Sequence, residues 1–125
     1  MLDLDGFKSI NDTHGHGVGD EVIRAFAREA KRAMRETDVI ARWGGEEFLI
    51  LLDESPPPDS SIGLGRLRIA LSNATVCDSA PQLRIQFSAG ITEYRPSETI
   101  EQTIERADRA LYKAKASGKN CTVLS

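Results

Sequence analysis

The sequence predicts an α+β domain with an antiparallel-rich central sheet flanked by helices. Strand-like and helix-like segments succeed one another in the order strand, helix, hairpin, helix, strand, helix. Two apolar runs, one ending at Ala41 and one starting at Phe48, close on each other around Gly44-Gly45, as in a hairpin. Two longer segments repeat their apolar residues at helical spacing, and one of them opens with a capping box. An antiparallel-rich sheet carrying its helices on one face accommodates that order.

Taken in order, Met1-Leu2-Asp3-Leu4-Asp5 alternates apolar and acidic residues and reads as a strand. Domains seldom begin inside a strand, so Met1 is expected to start within a larger domain, with a short edge strand as the alternative. Val22, Ile23, Phe26, Ala27, Ala30, Ala33 and Met34 predict an amphipathic helix from about Glu21 to Arg35, entered through Gly19-Asp20 and basic on its outer face. Strands are expected over Val39 to Trp43 and Phe48 to Leu52. The stretch Ser55-Pro56-Pro57-Pro58-Asp59 reads as an exposed connection. A helix from Ser61 to about Asn73 follows, its first half weakened by Gly63 and Gly65. Leu83, Ile85, Phe87, Ala89 and Ile91 alternate as a half-buried strand. Thr99-Ile100-Glu101-Gln102 is the capping box of a helix with Ile100, Ile104, Ala107, Leu111 and Ala114 inward and Gly118 closing it. Cys121 to Leu124 is expected as a last short strand.

Composition narrows the function. With 125 residues, 40% hydrophobic and 28% charged, the chain fits one domain over 1–125 with a modest core. A net charge of −3 argues against a nucleic-acid duplex held by many phosphate contacts, while a small lysine cluster remains compatible with a single nucleotide. Cys77 and Cys121 stand far apart with no second pair, which suggests neither a disulfide framework nor a zinc site, and a cytoplasmic location is expected. No segment is apolar enough to predict membrane contact.

The chemistry gathers at two places. Asp3 and Asp5 lie two apart on a strand and so share a face, an arrangement suited to a divalent cation. Glu46 and Glu47 sit in the turn, where Gly44 and Gly45 admit positive φ and close approach to a ligand, and where adjacent carboxylates repel unless a cation or proton joins them. Magnesium takes one or two carboxylates together with substrate phosphates, so a carboxylate from that turn suits the same ion. The ordinary reading is a charged edge strand and a solvated turn. Lys8 and the run from Asn11 to Asp20 shift the balance. An amide and a carboxylate, Asn11 and Asp20, match the edge of a guanine, whose ring and exocyclic N–H groups donate as a pair. Singly, each residue is more often a turn or cap residue. His14 and His16 have no further His or Cys nearby and read as loop residues, not zinc ligands.

Together these motifs resemble a GGDEF domain, the catalytic module of bacterial diguanylate cyclases. Asp3-Leu4-Asp5-Gly6-Phe7-Lys8 is similar to the family's metal and phosphate strand, Asn11 to Asp20 to its guanine-binding segment, and Gly44-Gly45-Glu46-Glu47-Phe48 to the GGEEF form of its signature. Ala107 to Asn120 resembles its closing helix and phosphate-contacting turn. The resemblance implies a fold similar to the nucleotide cyclase and polymerase palm, of ferredoxin-like arrangement. It implies that two GTP molecules, one on each domain of a homodimer, are joined into cyclic di-GMP with release of pyrophosphate, using Mg2+ or Mn2+. Carried over residue by residue, Asp3, Glu46 and the Leu4 carbonyl hold metal, Glu46 assists deprotonation of the 3′-hydroxyl, and Glu47 is a further ligand. Lys8, Lys115 and Lys119 contact phosphates; Asn11 and Asp20 read guanine. Lys119 stands where the family usually has arginine, so a point charge replaces a bidentate fork and weaker nucleotide binding is expected.

Arg35-Glu36-Thr37-Asp38 fits the family's RxxD inhibitory site, where arginine forks onto a phosphate and the carboxylate takes guanine N–H groups of the product. Arg66 is a candidate second phosphate contact there. Read without the family, the same residues are a charged helix end and a turn. Family members also carry a helix and the start of the first strand ahead of the Asp3 segment, including an Asp-x-Leu-Thr motif that supplies Arg42 with an aspartate partner. All of that is expected to be missing here, and the full-length protein is expected to carry a covalently linked sensor domain outside this segment. The alternative to an active cyclase is an impaired domain that binds cyclic di-GMP or GTP as a regulatory module.

Overall fold

The computed structural model describes residues 1–54 and 56–125. Ser55, first residue of the expected proline-rich connection, lies outside the described residues. The sheet runs β2-β3-β1-β4-β5. Its strands are β1 (Leu2–Leu4), β2 (Val39–Arg42), β3 (Glu47–Leu51), β4 (Phe87–Ile91) and β5 (Thr122–Leu124). The helices are α1 (Phe7–His14), α2 (His16–Ala33), α3 (Pro57–Asn73) and α4 (Ile100–Ala116). The pairs β1–β3, β1–β4 and β2–β3 are antiparallel, and only β4–β5 is parallel, so the expected antiparallel-rich α+β sheet is present.

β1 is central, not an edge strand. It pairs with β3 at Leu2↔Phe48 and Asp3↔Glu47, and with β4 at Leu2↔Ala89, Asp3↔Ser88 and Leu4↔Phe87. Met1 and Gly90 exchange bonds across the ladder, Met1 N to Gly90 O at 2.9 Å and Gly90 N to Met1 O at 2.8 Å. Because side chains alternate along a strand, Leu2 and Leu4 enter the main core with Phe48 and Phe87, while Met1 packs on the other side with Ala107 and Leu111 of α4.

The expected placement of the helices on one face does not hold. α2 and α3 cover one face and α4 the other, because both faces of the central strands carry apolar residues. The main core centres on Phe26 of α2, whose ring lies 4.6 Å from that of Phe48 and 5.9 Å, edge-on, from that of Phe87. Each such ring contributes roughly 1.5–3 kcal/mol by burial. On the opposite face Gly90 sets the spacing. A Cβ there would stand 2.2 Å from the Ala107 carbonyl oxygen and 2.3 Å from the Leu111 nitrogen, so α4 lies with its backbone against the strand.

Several element boundaries move. The stretch expected as a loop before Glu21 forms α1 and the first turns of α2, divided at Gly15 with φ 88°. Its many turn residues mask Phe7, Ile10 and Val18, which pack against the core. α3 begins at Pro57, inside the expected proline connection, since proline lacks the N–H that a first helical turn leaves without a partner. The ladder of β4 starts only at Phe87, although Ile85 is buried and Leu83 packs on the core. α4 has the expected capping box, with Thr99 Oγ1 accepting from Gln102 N at 3.2 Å and Gln102 Oε1 accepting from Thr99 N at 2.9 Å. Ile100, expected inward, is 66% exposed because it sits on the first turn ahead of the helix's contact with the sheet.

The start of α4 is tied down by Glu98. Arg106 Nε donates to Glu98 Oε2 at 3.0 Å and Thr103 Oγ1 donates to Glu98 Oε1 at 2.8 Å. The bond from Arg106, above all, holds the Glu98 carboxyl at about 2 instead of 4.5. A carboxyl with a depressed folded pKa contributes stability above its unfolded value and loses it as pH falls through the folded value. Stability is therefore expected to fall between pH 4.5 and about 2, and Glu98→Gln should flatten that acid limb in urea titrations run across this range. Gly90→Ala should destabilise the domain by about 3 kcal/mol, since the clash is with helix backbone and not with a movable side chain; an unchanged urea midpoint would contradict the flush packing of α4.

Candidate active site

Asp3 lies in the middle of the sheet, with its carboxylate on the α4 side. Lys115, in the last turn of α4, stands with Nζ 3.0 Å from Asp3 Oδ2, and the aspartate side chain is only 10% exposed. Directly across the ladder is Glu47, and opposed residues of an antiparallel pair project from the same face. Glu46 comes next, half-buried, its carbonyl accepting the Leu4 amide at 3.0 Å. The end of β1 and the start of β3 thus gather Asp3, Leu4, Glu46, Glu47 and Lys115. The register sets Glu47, not Glu46, opposite Asp3.

Asp5 does not join this group as a second cation carboxylate. Its Oδ1 accepts from Ser88 Oγ at 2.7 Å and its Oδ2 from the Asn120 amide at 2.9 Å, so it ties β1 to β4 and to the turn after α4. Strand alternation placed Asp5 on the correct face, but β1 ends at Leu4 and the neighbouring donors engage both oxygens. Among the described residues no three His, Cys, Asp or Glu side chains converge as a metal cage. The donors fit magnesium in another way. Asp3, the glutamate turn and a main-chain carbonyl offer the hard oxygens that magnesium takes, in a set that would need further ligands to be complete.

The glycine turn is shaped by close approach, not by positive φ, which neither Gly44 nor Gly45 adopts. A Cβ on Gly44 would lie 3.2 Å from Glu47 Oε1. The amides of Trp43 and Gly44 both donate to the Glu47 carbonyl, at 2.8 and 3.2 Å. Arg42 braces the turn from below, with Nη2 donating to Gly45 O at 2.7 Å and Nε to Gly44 O at 3.2 Å. The guanidinium therefore has partners within the turn itself.

The packing of α1 on α2 sets Asn11 against Gly19, the residue before Asp20. A Cβ on Gly19 would meet Asn11 Oδ1 at 1.9 Å, so only glycine admits the amide here. That Oδ1 is buried with no hydrogen-bond partner, which marks Asn11 as a polar group placed for something other than the packing around it. Asp20 follows Gly19 directly and is exposed, as is Lys8 on the first turn of α1.

Lys119 and Asn120 follow α4 with φ of 65° and 46°, after Gly118 at 110°. Left-handed backbone costs a residue with a Cβ about 1–2 kcal/mol, so this turn is held from outside. Part of the hold comes from Arg68 of α3, which the sequence does not flag. Its Nη1 donates to Asn120 Oδ1 at 3.1 Å and to the Phe87 carbonyl, its Nη2 to Thr122 Oγ1 at 2.8 Å, and its plane lies 3.9 Å from the Phe87 ring centroid. Burial lowers the pKa of this guanidinium, opposed by Cys121 and Asp5. Its signal in the sequence was positional: Arg68 sits four residues after Leu64 and three before Leu71, on the stripe that faces the core. Ser88 likewise stood as a lone polar residue between Phe87 and Ala89.

Arg35 and Asp38 also come together, Arg35 Nη2 lying 3.8 Å from Asp38 Oδ1. The Asp38 side chain is 3% exposed and accepts from two amides, Arg35 N at 2.8 Å and Asp53 N at 3.1 Å. It therefore closes the open end of the β2–β3 hairpin. Arg35 also donates to the Asp53 carbonyl and keeps a 55% exposed side chain. Arg66 is exposed on α3.

The central strand thus presents a largely buried carboxylate paired with a lysine of α4, with an acidic turn on the neighbouring strand. Residues 1–121 match the family described as "Diguanylate cyclase, GGDEF domain", and the chain belongs to that family. It is 42% identical over 120 residues to diguanylate cyclase DgcP of Pseudomonas aeruginosa, covering 96% of this chain and 18% of that protein. The crystal structure of diguanylate cyclase SiaD in complex with its activator SiaC, also from Pseudomonas aeruginosa, superposes with a TM-score of 0.93 at 43% identity, covering 99% of this chain and 48% of that one. The GGDEF domain of DgcB from Caulobacter crescentus, solved in complex with c-di-GMP, gives 0.90 at 35% identity, covering 98% and 74%. The chain thus spans less than half the length of SiaD and a smaller share of DgcP. Among the described residues no helix is long and apolar enough to cross a membrane.

Proposed function

We propose that this domain condenses two GTP molecules into cyclic di-GMP, each domain of a homodimer presenting one nucleotide to the other. The supporting observation is the meeting of Asp3, the Glu46-Glu47 turn and Lys115 at one end of the central strand. In each half-reaction a 3′-oxygen bonds to the partner nucleotide's α-phosphorus and the α–β anhydride bond breaks. Pyrophosphate leaves, and the hydroxyl proton passes to Glu46 and then to solvent. Two such steps close the ring.

Asp3, the Leu4 carbonyl, Glu46 and Glu47 would hold Mg2+ or Mn2+. When bound, the cation supplies charge neutralisation at the phosphates and lowers the pKa of the attacking hydroxyl. Lys115 offsets the Asp3 charge in the structure and is positioned to turn toward an arriving triphosphate. Lys8 and Lys119 add point charges at the same end, and Asn11 with Asp20 takes the guanine edge. A reaction of this kind needs little covalent help from protein, so positioning and charge are the main contributions. Arg35 and Asp38, with Arg66, form the product-inhibition site in this reading. Arg35, with a 55% exposed side chain, is the accessible member of this pair, whereas Asp38 is 3% exposed with each oxygen accepting an amide, so a guanine would have to displace a loop amide to reach it. A sensor domain linked in the full-length protein would set how two such domains meet.

Purified protein incubated with GTP and Mg2+ should yield cyclic di-GMP on separation of the nucleotides. GTP binding with no product at high protein concentration would favour a binding module instead. Glu46→Gln should lower turnover by about 100-fold or more while sparing product binding, and near-parental turnover would overturn the metal assignment. Arg35→Ala is the cleaner probe of product inhibition, because replacing Asp38 would also release two loop amides. It should abolish inhibition by added cyclic di-GMP, and unchanged calorimetric binding of the product would defeat the assignment.

A further inference from the structure

We infer that Asp5 and Arg68 are positioning residues that hold the Lys119-Asn120 turn against the end of β1, so that Lys119 is delivered to the nucleotide phosphates. The inference rests on the reading of Lys119 as a phosphate contact. Two independent elements grip the same residue from opposite ends. Asp5, at the end of the central strand, takes the Asn120 amide at 2.9 Å through one oxygen and Ser88 Oγ at 2.7 Å through the other. Arg68, from α3, takes the Asn120 side-chain oxygen at 3.1 Å and anchors beyond it on Thr122 Oγ1 at 2.8 Å and on the Phe87 ring.

The arrangement suits positioning more than general stability. Lys119 and Asn120 both have left-handed backbone, which a free turn would relax. The Asn120 amide is fixed by a carboxylate 115 positions away, so the direction in which Lys119 leaves the helix is tied to the strand that carries Asp3. Lysine is a point charge on a flexible stem, and what it loses in geometry relative to an arginine fork a rigid backbone can restore. In this arrangement Asp5 acts through Lys119 and not as a ligand of the cation.

Two variants test this in the intact chain. Asp5→Leu is close in volume and removes both acceptors, whereas an asparagine could keep both bonds by turning its oxygen to the Asn120 amide and its NH2 to Ser88 Oγ; Arg68→Lys keeps the charge and removes the fork. By hydrogen exchange, both should raise exchange at residues 118–121 by roughly tenfold, with protection of β1 and α3 unchanged. No local rise, or a rise spread over the domain, overturns the clamp whatever the nucleotide does. Affinity for guanosine 5′-[α,β-methylene]triphosphate with Mg2+ is then measured for each variant, for Lys119→Ala and for the double variants. Each single change should weaken binding about tenfold, and the double variants should be little worse than Lys119→Ala alone, since neighbours in one network do not add. Additive losses overturn the positioning role. An Asp5→Leu protein that needs about tenfold more Mg2+ for half-maximal binding returns Asp5 to the cation. Failure of the parent chain to bind the analogue overturns the nucleotide reading and the positioning role together, while the exchange result still decides whether the clamp exists.

Discussion

The close approach of α4 to β4 is the constraint on which the rest depends. Position 90 has no side chain, and the helix backbone lies where a Cβ would be. That depth brings Lys115 to Asp3 at 3.0 Å and lets the chain turn back after Ala116 so that Asn120 reaches Asp5. A helix held a few ångströms further out would keep its capping box and its buried Leu111 and still leave the central carboxylate without a cation. The site is therefore a property of one inter-element distance as much as of the residues named in it.

The central strand shows the same economy. Three residues of β1 serve two faces, because alternation sends Leu2 and Leu4 to the phenylalanine core and Asp3 to α4. A buried carboxylate needs a partner, and the partner here is a lysine from another element instead of a neighbour in sequence. Asp5, one step on in the same alternation, meets Ser88 and Asn120 and becomes structural. Two aspartates with the same sequence context thus have different roles, decided by which donors the fold places nearby.

Much of this was legible in the sequence. The hairpin and the capping box of α4 are local patterns, and they survive in the structure, whereas β4, expected as a half-buried strand, is buried on both faces because α4 covers the side that alternation left to solvent. The one-face arrangement of helices failed because periodicity reports that a face is apolar, not which layer covers it. α1 was hidden by Asn11, Asp12, Gly15 and Gly17, whose turn chemistry outweighs the few apolar residues between them; tertiary packing of Phe7 and Ile10 decides the matter. The proline run begins α3 because a first helical turn has no use for the missing donors. Of the candidate site, the acidic turn and the lysines were readable from motif, whereas Arg68 and Ser88 carry meaning only once α3, β4 and the final turn are seen together.

The bond between Asp5 and Asn120 closes a loop of 115 positions. Contacts of such separation form late, since the entropy of loop closure opposes them until the intervening chain is organised. During synthesis β1 is made before either of its sheet neighbours, β3 and β4, and the turn that carries Asn120 follows only after α4. The turn after α4 therefore docks as a late step, once β1 and β4 are already paired.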